Sequence, residues 1–265
     1  MFPIHDDNPT FNKPVVVYLI IAINIVVWVF YQQAGVDEFI MNESIESLAA
    51  YQGGVLNGKW HTLLTHAFLH GSWSHIIFNM LFLWIFGNNI EDAMGHWRFM
   101  LFYMTSAVAS CLPELYMADL PLIGASGAIS AVMGAYLVLY PKVRIYIPIF
   151  IIIRIFMLKL PAFIVIAFYL LIDLGGLYKQ ISDLASVGYS AGVAYGAHVF
   201  GLIFGLAAVF MFRNKDLLIR HPYVGWGANI PEKESLPALM KVSIKTLNYL
   251  VLGALFLSII VLIIE

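Results

Sequence analysis

Charge is scarce in this chain. Only 11% of its 265 residues are Asp, Glu, Lys or Arg, and 61% are hydrophobic. A soluble domain carries about 25% charged residues, so the shortage excludes an ordinary water-facing surface and makes lipid the main solvent. There is a single cysteine, Cys111, which excludes an internal disulfide; in its apolar run it reads as a small buried side chain. Dense basic runs are missing and the net charge is −2, which argues against a nucleic-acid partner. No repeat of solenoid period is present. The start, "MFPIHDDNPTFNKP", lacks the basic stretch of a signal peptide, and no small-residue cleavage site follows the next apolar run. That run is expected to be a retained span.

What the chain has in quantity is apolar sequence of membrane-spanning length, roughly 20 residues per helix. Val15–Tyr31, Phe99–Tyr116 and Leu247–Ile264 are clear spans, and Ile76–Ile90, Gly124–Tyr140 and Tyr195–Phe212 are spans with polar interruptions. Pro161–Leu177 is a shorter seventh, opened by a proline that suits a first helical turn. "IYIPIFIIIRIFMLK" before it is broken by Pro148, Arg154 and Lys159 and is read as an interfacial segment. The fold class is therefore an all-α polytopic membrane protein of seven spans. Residues 1–14 form a cytoplasmic segment, 15–213 a six-helix core, 214–244 a polar linker and 245–265 the last span.

Seven spans put the termini on opposite sides, and the positive-inside rule chooses which. Lys13, Arg98, Lys142, Arg144, Arg154, Lys159, Arg213, Lys215, Arg220, Lys233, Lys241 and Lys245 fall on one face; only Lys59 and Lys179 fall opposite. The N-terminus is thus expected in the cytoplasm and the C-terminus outside, in a cell (plasma or inner) membrane. The long loop Gly35–Ser74 is then external.

Polar groups interrupt three spans at one depth. At 1.5 Å per residue, Ser126 stands about 24 Å above Lys142, His198 about 22 Å above Arg213, and His75 and Asn79 about 24 and 18 Å above Glu91. The helix near Gly124 must therefore begin inside the membrane, and the irregular "MADLPLI" before it needs cover from protein or a water cavity. Ser126, Ser130 and Gly134 share a small face suited to helix packing. Ser126 also lies near a helix start, where free N–H groups favour developing negative charge. The flanking Gly124 and Gly127 let a substrate backbone approach. His198 shares a contact face with the GxxxG of Gly201 and Gly205, and a histidine level with a helix-start serine is a candidate general base. His75 and Asn79, at i and i+4, offer two donors to one point, as an oxyanion requires; the plainer reading is an interhelical clamp.

"GASG" at Gly124–Gly127, "AHVFGLIFG" at Ala197–Gly205 and "HIIFN" at His75–Asn79 resemble, in that order, the GxSG, AHxxGxxxG and HxxxN motifs of the rhomboid intramembrane serine proteases. "KWHTLLTHAFLHGSWSH" is similar to that family's first external loop, and "FGNNIEDAMG" to its GxxxE turn. The resemblance runs from about Val15 to Arg213, and the extra span fits a six-plus-one arrangement. It implies six helices around an outward-opening water-filled cavity, and a Ser126–His198 dyad without a carboxylate. It also implies an oxyanion site of His75, Asn79 and the Ser126 N–H, with no metal or organic cofactor. Substrates would be single-span membrane proteins, cut in or near the outer part of the span. The family's Trp-Arg pair in the first loop reads Trp60-His61 here. The aromatic that many members carry four residues after the serine is Ser130, which leaves His198 to be oriented by a hydrogen bond instead.

Three other readings compete. A catalytically inactive rhomboid-like escort usually lacks the serine or the histidine, and both are present. A metal site could draw on His61, His66, His70 and His75, but no HExxH accompanies them. A transporter would want paired intramembrane charges, for which Arg154 and Asp173, near predicted span ends, are the candidates. The substrate's identity and the oligomeric state are not encoded legibly.

Overall fold

A computed structural model describes residues 3–117, 120–151, 154–185 and 192–228. The expected last span and most of the linker lie outside the described residues.

A two-residue strand, β1 (His5–Asp6), precedes α1 (Val15–Val26), which continues through a π-helical turn at Val27–Tyr31. The segment that follows folds into α2 (Glu38–Leu48), α3 (Gln52–Leu56) and α4 (Thr62–Thr65). Asp37 caps α2 by accepting from the Phe39 and Ile40 N–H groups. Ser72 caps α5 (Trp73–Phe82), which runs through a second π turn, Leu83–Gly87, into α6 (Asn88–Met94). Then come α7 (His96–Met117), α8 (Ser126–Leu139), the hairpin β2 (Arg144–Ile151) and β3 (Arg154–Pro161), α9 (Ala162–Ala185), α10 (Tyr195–Phe212) and α11 (Lys215–Leu218).

Each expected span in the described part coincides with helix, and Tyr195–Phe212 does so end for end. Two described helices are long and apolar enough to cross a membrane, Ala162–Asp183 and Tyr195–Phe212; Val15–Tyr31 and Ser126–Leu139 are shorter apolar helices.

Residues 145–159, expected as an interfacial segment of an all-α fold, instead form most of a β-hairpin, so the all-α fold class is corrected there. Ile145 and Ile147 are buried while Arg144 and Tyr146 are not, and Leu158 and Leu160 are buried on either side of Lys159. That period of two is a strand pattern. Pro148 does not break it. The Arg144 and Tyr146 carbonyls face β1, accepting from Asp7 and Ile4, so Pro148 turns its missing N–H to the same edge. β1 pairs only His5 with Tyr146 and Asp6 with Ile145, so that edge is open at Pro148.

The middle of the bundle is α8, whose small residues let α10 pack backbone to backbone. A Cβ on Gly201 would stand 2.2 Å from the Gly127 carbonyl oxygen, one on Gly205 1.9 Å from that of Ala131, and one on Gly134 2.3 Å from that of Leu202. Only glycine fits such a crossing. Phe86, Phe99, Phe102, Tyr103, Tyr136 and Tyr140 fill the fully buried core toward the β-sheet end.

That end is also where the N-terminal segment is fastened. Pro14 offers α1 no side-chain cap; Glu91 of α6 supplies it, accepting from Val16 N–H at 2.9 Å and Val17 N–H at 2.8 Å. Asp92 accepts from Phe11 N–H at 2.6 Å and Asn12 N–H at 3.1 Å. Asp6 is buried and accepts from Tyr136 Oη–H at 2.7 Å and Asn89 Nδ2–H at 2.8 Å. Asn214 N–H donates to Ala93 O at 3.0 Å, and Arg98 donates to Arg213 O at 3.3 Å. The N-terminus, the α6–α7 turn, the hairpin and the end of α10 therefore share one side, as the distribution of basic residues requires.

Candidate active site

Ser126 is the first residue of α8, half-buried. The chain reaches it through an irregular segment whose backbone is held from outside: Ala50 and Leu122 exchange N–H···O bonds of 3.1 and 2.7 Å, and Gly124 N–H donates to His66 O at 2.9 Å. The segment between α1 and α5 thus covers this non-helical backbone with protein. Gly124 takes φ +116°, where a side chain is strained. A Cβ there would also lie 2.7 Å from His75 Nε2 and 3.8 Å from Asn79 Nδ2. The donors of His75 and Asn79 therefore converge on the backbone two residues before Ser126, next to the partnerless N–H groups of the first turn of α8.

The protonation pattern suits donation. Gly71 N–H reaches His75 Nδ1 at 3.4 Å, which leaves Nε2 as the protonated nitrogen of the neutral ring. Asn79 Nδ2 lies 3.0 Å from His70 Nε2. Burial, reinforced by the neighbouring His75, pushes His70 down to about 3, so its ring is neutral and Nε2 accepts one amide hydrogen. The second amide hydrogen of Asn79 stays available.

His198, half-buried on the first turn of α10, follows Ala197, whose carbonyl would lie 3.5 Å from a Cβ on Gly127. Ser126 and His198 thus flank a single point where α8 and α10 touch. They are not hydrogen-bonded to one another; such bonds often tighten only when substrate is bound. Gly127, Gly201 and Gly205 form the contact itself, and Gly124 the approach.

Several functional groups escaped the sequence reading. Gln32 is fully buried and grips the His70 peptide from both sides, Nε2–H to His70 O and His70 N–H to Oε1, each 2.9 Å. Glu114, buried inside α7, accepts from Ala197 N–H at 3.1 Å and from Gln180 Nε2–H, and so caps the start of α10 beside His198. Most consequential is Asp173. It lies near the middle of α9, not near a span end, with Oδ1 3.0 Å from His198 Nδ1. The dyad expected to lack a carboxylate has one against it. His61 Nε2–H donates to Ser47 O over 3.3 Å, so the first loop is tied at that position without an arginine. Among the described residues no three of His, Cys, Asp and Glu are grouped to hold a metal ion.

Comparison with known proteins bears on this arrangement. The rhomboid domain family model matches residues 57–215, more than half of the chain and every element from α4 to α10. Rhomboid protease GluP of Bacillus subtilis is 32% identical over 127 residues, 48% of this chain and 25% of its own length. Rhomboid protein 1, mitochondrial, of Saccharomyces cerevisiae is 30% identical over 141 residues, 51% of this chain and 39% of its own. RHOMBOID-like protein 12, mitochondrial, of Arabidopsis thaliana is 28% identical over 205 residues, 70% of this chain and 57% of its own. The chain spans only part of the length of each of these relatives.

Proposed function

Because the chain belongs to the rhomboid family, a family of membrane-integral proteins with proteases among its members, we propose that it is an intramembrane serine endopeptidase that cuts single-span membrane proteins. The observation that carries the proposal is the convergence of His75 Nε2 and Asn79 Nδ2 on the Gly124 backbone beside a helix-start serine. A positive-φ glycine that leaves room for two donors supports the catalytic reading over an inactive escort.

In the proposed reaction Ser126 Oγ attacks the scissile carbonyl carbon as its proton passes to His198 Nε2. The carbonyl electron pair moves onto oxygen, which His75, Asn79 and the N–H groups of the first turn of α8 receive. His198 then gives the proton to the departing amine nitrogen as the C–N bond breaks, and water reverses the sequence to release the acyl group. The substrate must unwind first, since a helix hides its carbonyls in i→i−4 bonds. With Lys13, Arg98, Lys142, Arg144, Lys159, Arg213, Lys215 and Arg220 on elements of the sheet side, that side is taken to face the cytoplasm and the site to open outward.

The test is purified protein in detergent with a panel of single-span peptides, wild type beside Ser126→Ala and His198→Ala. Both variants should insert and fold yet lose cleavage, and the double variant should cost little more than either alone, because the pair acts as a unit. Substantial cleavage by Ser126→Ala would remove the serine from the reaction.

A further inference from the structure

We infer that Asp173 is the positioning residue for His198, so that the working unit of this chain is Ser126–His198–Asp173. The inference rests on the protease reading of the same site. His198 Nδ1 and Asp173 Oδ1 are 3.0 Å apart, and both side chains are about four-fifths buried, 17% and 19% exposed. A carboxylate is acceptor-only, so Nδ1 carries the hydrogen and donates it. That choice leaves Nε2 with its lone pair, the form a general base needs on the side of Ser126.

A second contact holds this geometry independently. A Cβ on Gly176 would lie 2.5 Å from the Tyr195 ring, so α9 presses on α10 where only glycine fits. Gly176 is three residues after Asp173 and Tyr195 three before His198. On two antiparallel helices these are neighbouring turns, so one contact sets the spacing that the other uses. The Tyr195 and His198 rings are also edge-to-face at 6.3 Å. The hydrogen bond to the imidazole comes from α9, while α8 offers the small Ser130. An unpaired carboxylate in the middle of a lipid-facing helix is costly, and this one is turned to the histidine.

During attack the Ser126 proton moves to Nε2 and the imidazole becomes a cation. Asp173 keeps its hydrogen bond to Nδ1–H and its charge; it takes no proton, and serves by stabilising the cation and fixing the tautomer. Glu114, the other acid beside α10, accepts from backbone and amide donors and does not touch the imidazole.

The experiment measures two things on the same detergent-solubilised proteins: turnover of a single-span fluorogenic peptide, and the rate at which a fluorophosphonate labels Ser126. Asp173→Asn keeps the shape but removes the charge. It should lower kcat on the order of 10²–10⁴-fold with KM nearly constant, slow labelling in parallel and leave melting unchanged. Asp173→Glu should recover part of both rates. Gly176→Ala, which spares every polar group, should also slow labelling by wedging α9 off Tyr195, and covers the case in which Asp173→Asn fails to fold. A wild type that cleaves and is labelled at Ser126, beside an Asp173→Asn variant within threefold of it in both rates, would overturn the role of Asp173 while leaving the protease reading intact. A wild type that is neither labelled nor active would overturn both.

Discussion

Adding one methyl group at Gly205 should disable the site from about 10 Å away, since position 205 is seven residues from His198 along α10. The Gly205 Cβ would lie 1.9 Å from the Ala131 carbonyl oxygen, 2.6 Å from its carbon and 2.7 Å from Ala131 Cα. These atoms are backbone on both sides, so no rotamer relieves the clash. Restoring ordinary contact at 3.4 Å means separating α10 from α8 by about 1.5 Å, and overpacking of this kind costs about 1–3 kcal/mol. At about 2–4 °C per kcal/mol, melting of Gly205→Ala should fall by several degrees. The chemistry should suffer more. A displacement near 1 Å between reacting groups costs about 10²-fold, and the clash lies on the helix pair that carries Ser126 and His198. The assay is cleavage of a single-span peptide together with thermal unfolding in the same detergent. Gly175→Ala is the control, because nothing lies within 4 Å of its Cβ. Wild-type turnover and melting in Gly205→Ala would refute the claim that α8 and α10 cross backbone to backbone.

Asn79→Ala should lower kcat about 10²–10³-fold with KM and melting nearly unchanged, as loss of one oxyanion donor does; near-normal turnover with earlier unfolding would make Asn79 a clamp. Gly124→Ala meets both a φ of +116° and a Cβ 2.7 Å from His75 Nε2, so fluorophosphonate labelling of Ser126 should be abolished. The N-terminal segment should loosen as pH rises. Burial pushes the Asp6 carboxyl up to about 7 from 3.8, outweighing its hydrogen-bond donors, so the docked segment binds a proton more tightly than the free one. Docking is then strongest below the free value and weakens as pH climbs to the raised one. A nitroxide at position 4 should gain mobility between about pH 4 and about pH 7, and Asp6→Asn should flatten that response.

The spans were legible because lipid demands long apolar runs, and α10 was read end for end for that reason. Ser126, His75, Asn79 and His198 stood out because a polar group in an apolar run needs an explanation, and the fold places His75 and Asn79 beside Gly124, and Gly127 beside Ala197. The hairpin was hidden by its own composition: residues 144–161 are apolar on both strand faces in places, and Pro148 looks like an interruption until the edge it faces is known. Asp173 was placed near a span end because the expected span stopped at Leu177, whereas α9 runs on to Ala185. Glu114 vanished inside an otherwise apolar stretch. Its partners lie 66 and 83 residues away, and Gln32 meets His70 across 38, distances at which no local pattern can reveal a contact.

The strand β1 has a consequence for the order in which the protein is made. Its partner at Tyr146 emerges 141 residues after His5, which at about 5–20 residues per second is a delay of about 7–28 s. Glu91 and Asp92, which cap α1 and hold Phe11 and Asn12, emerge well before that. The ribosome therefore delivers the tail's fastenings in sequence, first α6 and then the hairpin. Until the second arrives, residues near His5 are an open strand edge on a half-built membrane protein. Once β2 has paired with it, β1 remains the edge strand of the sheet, two residues long and too short to template another chain.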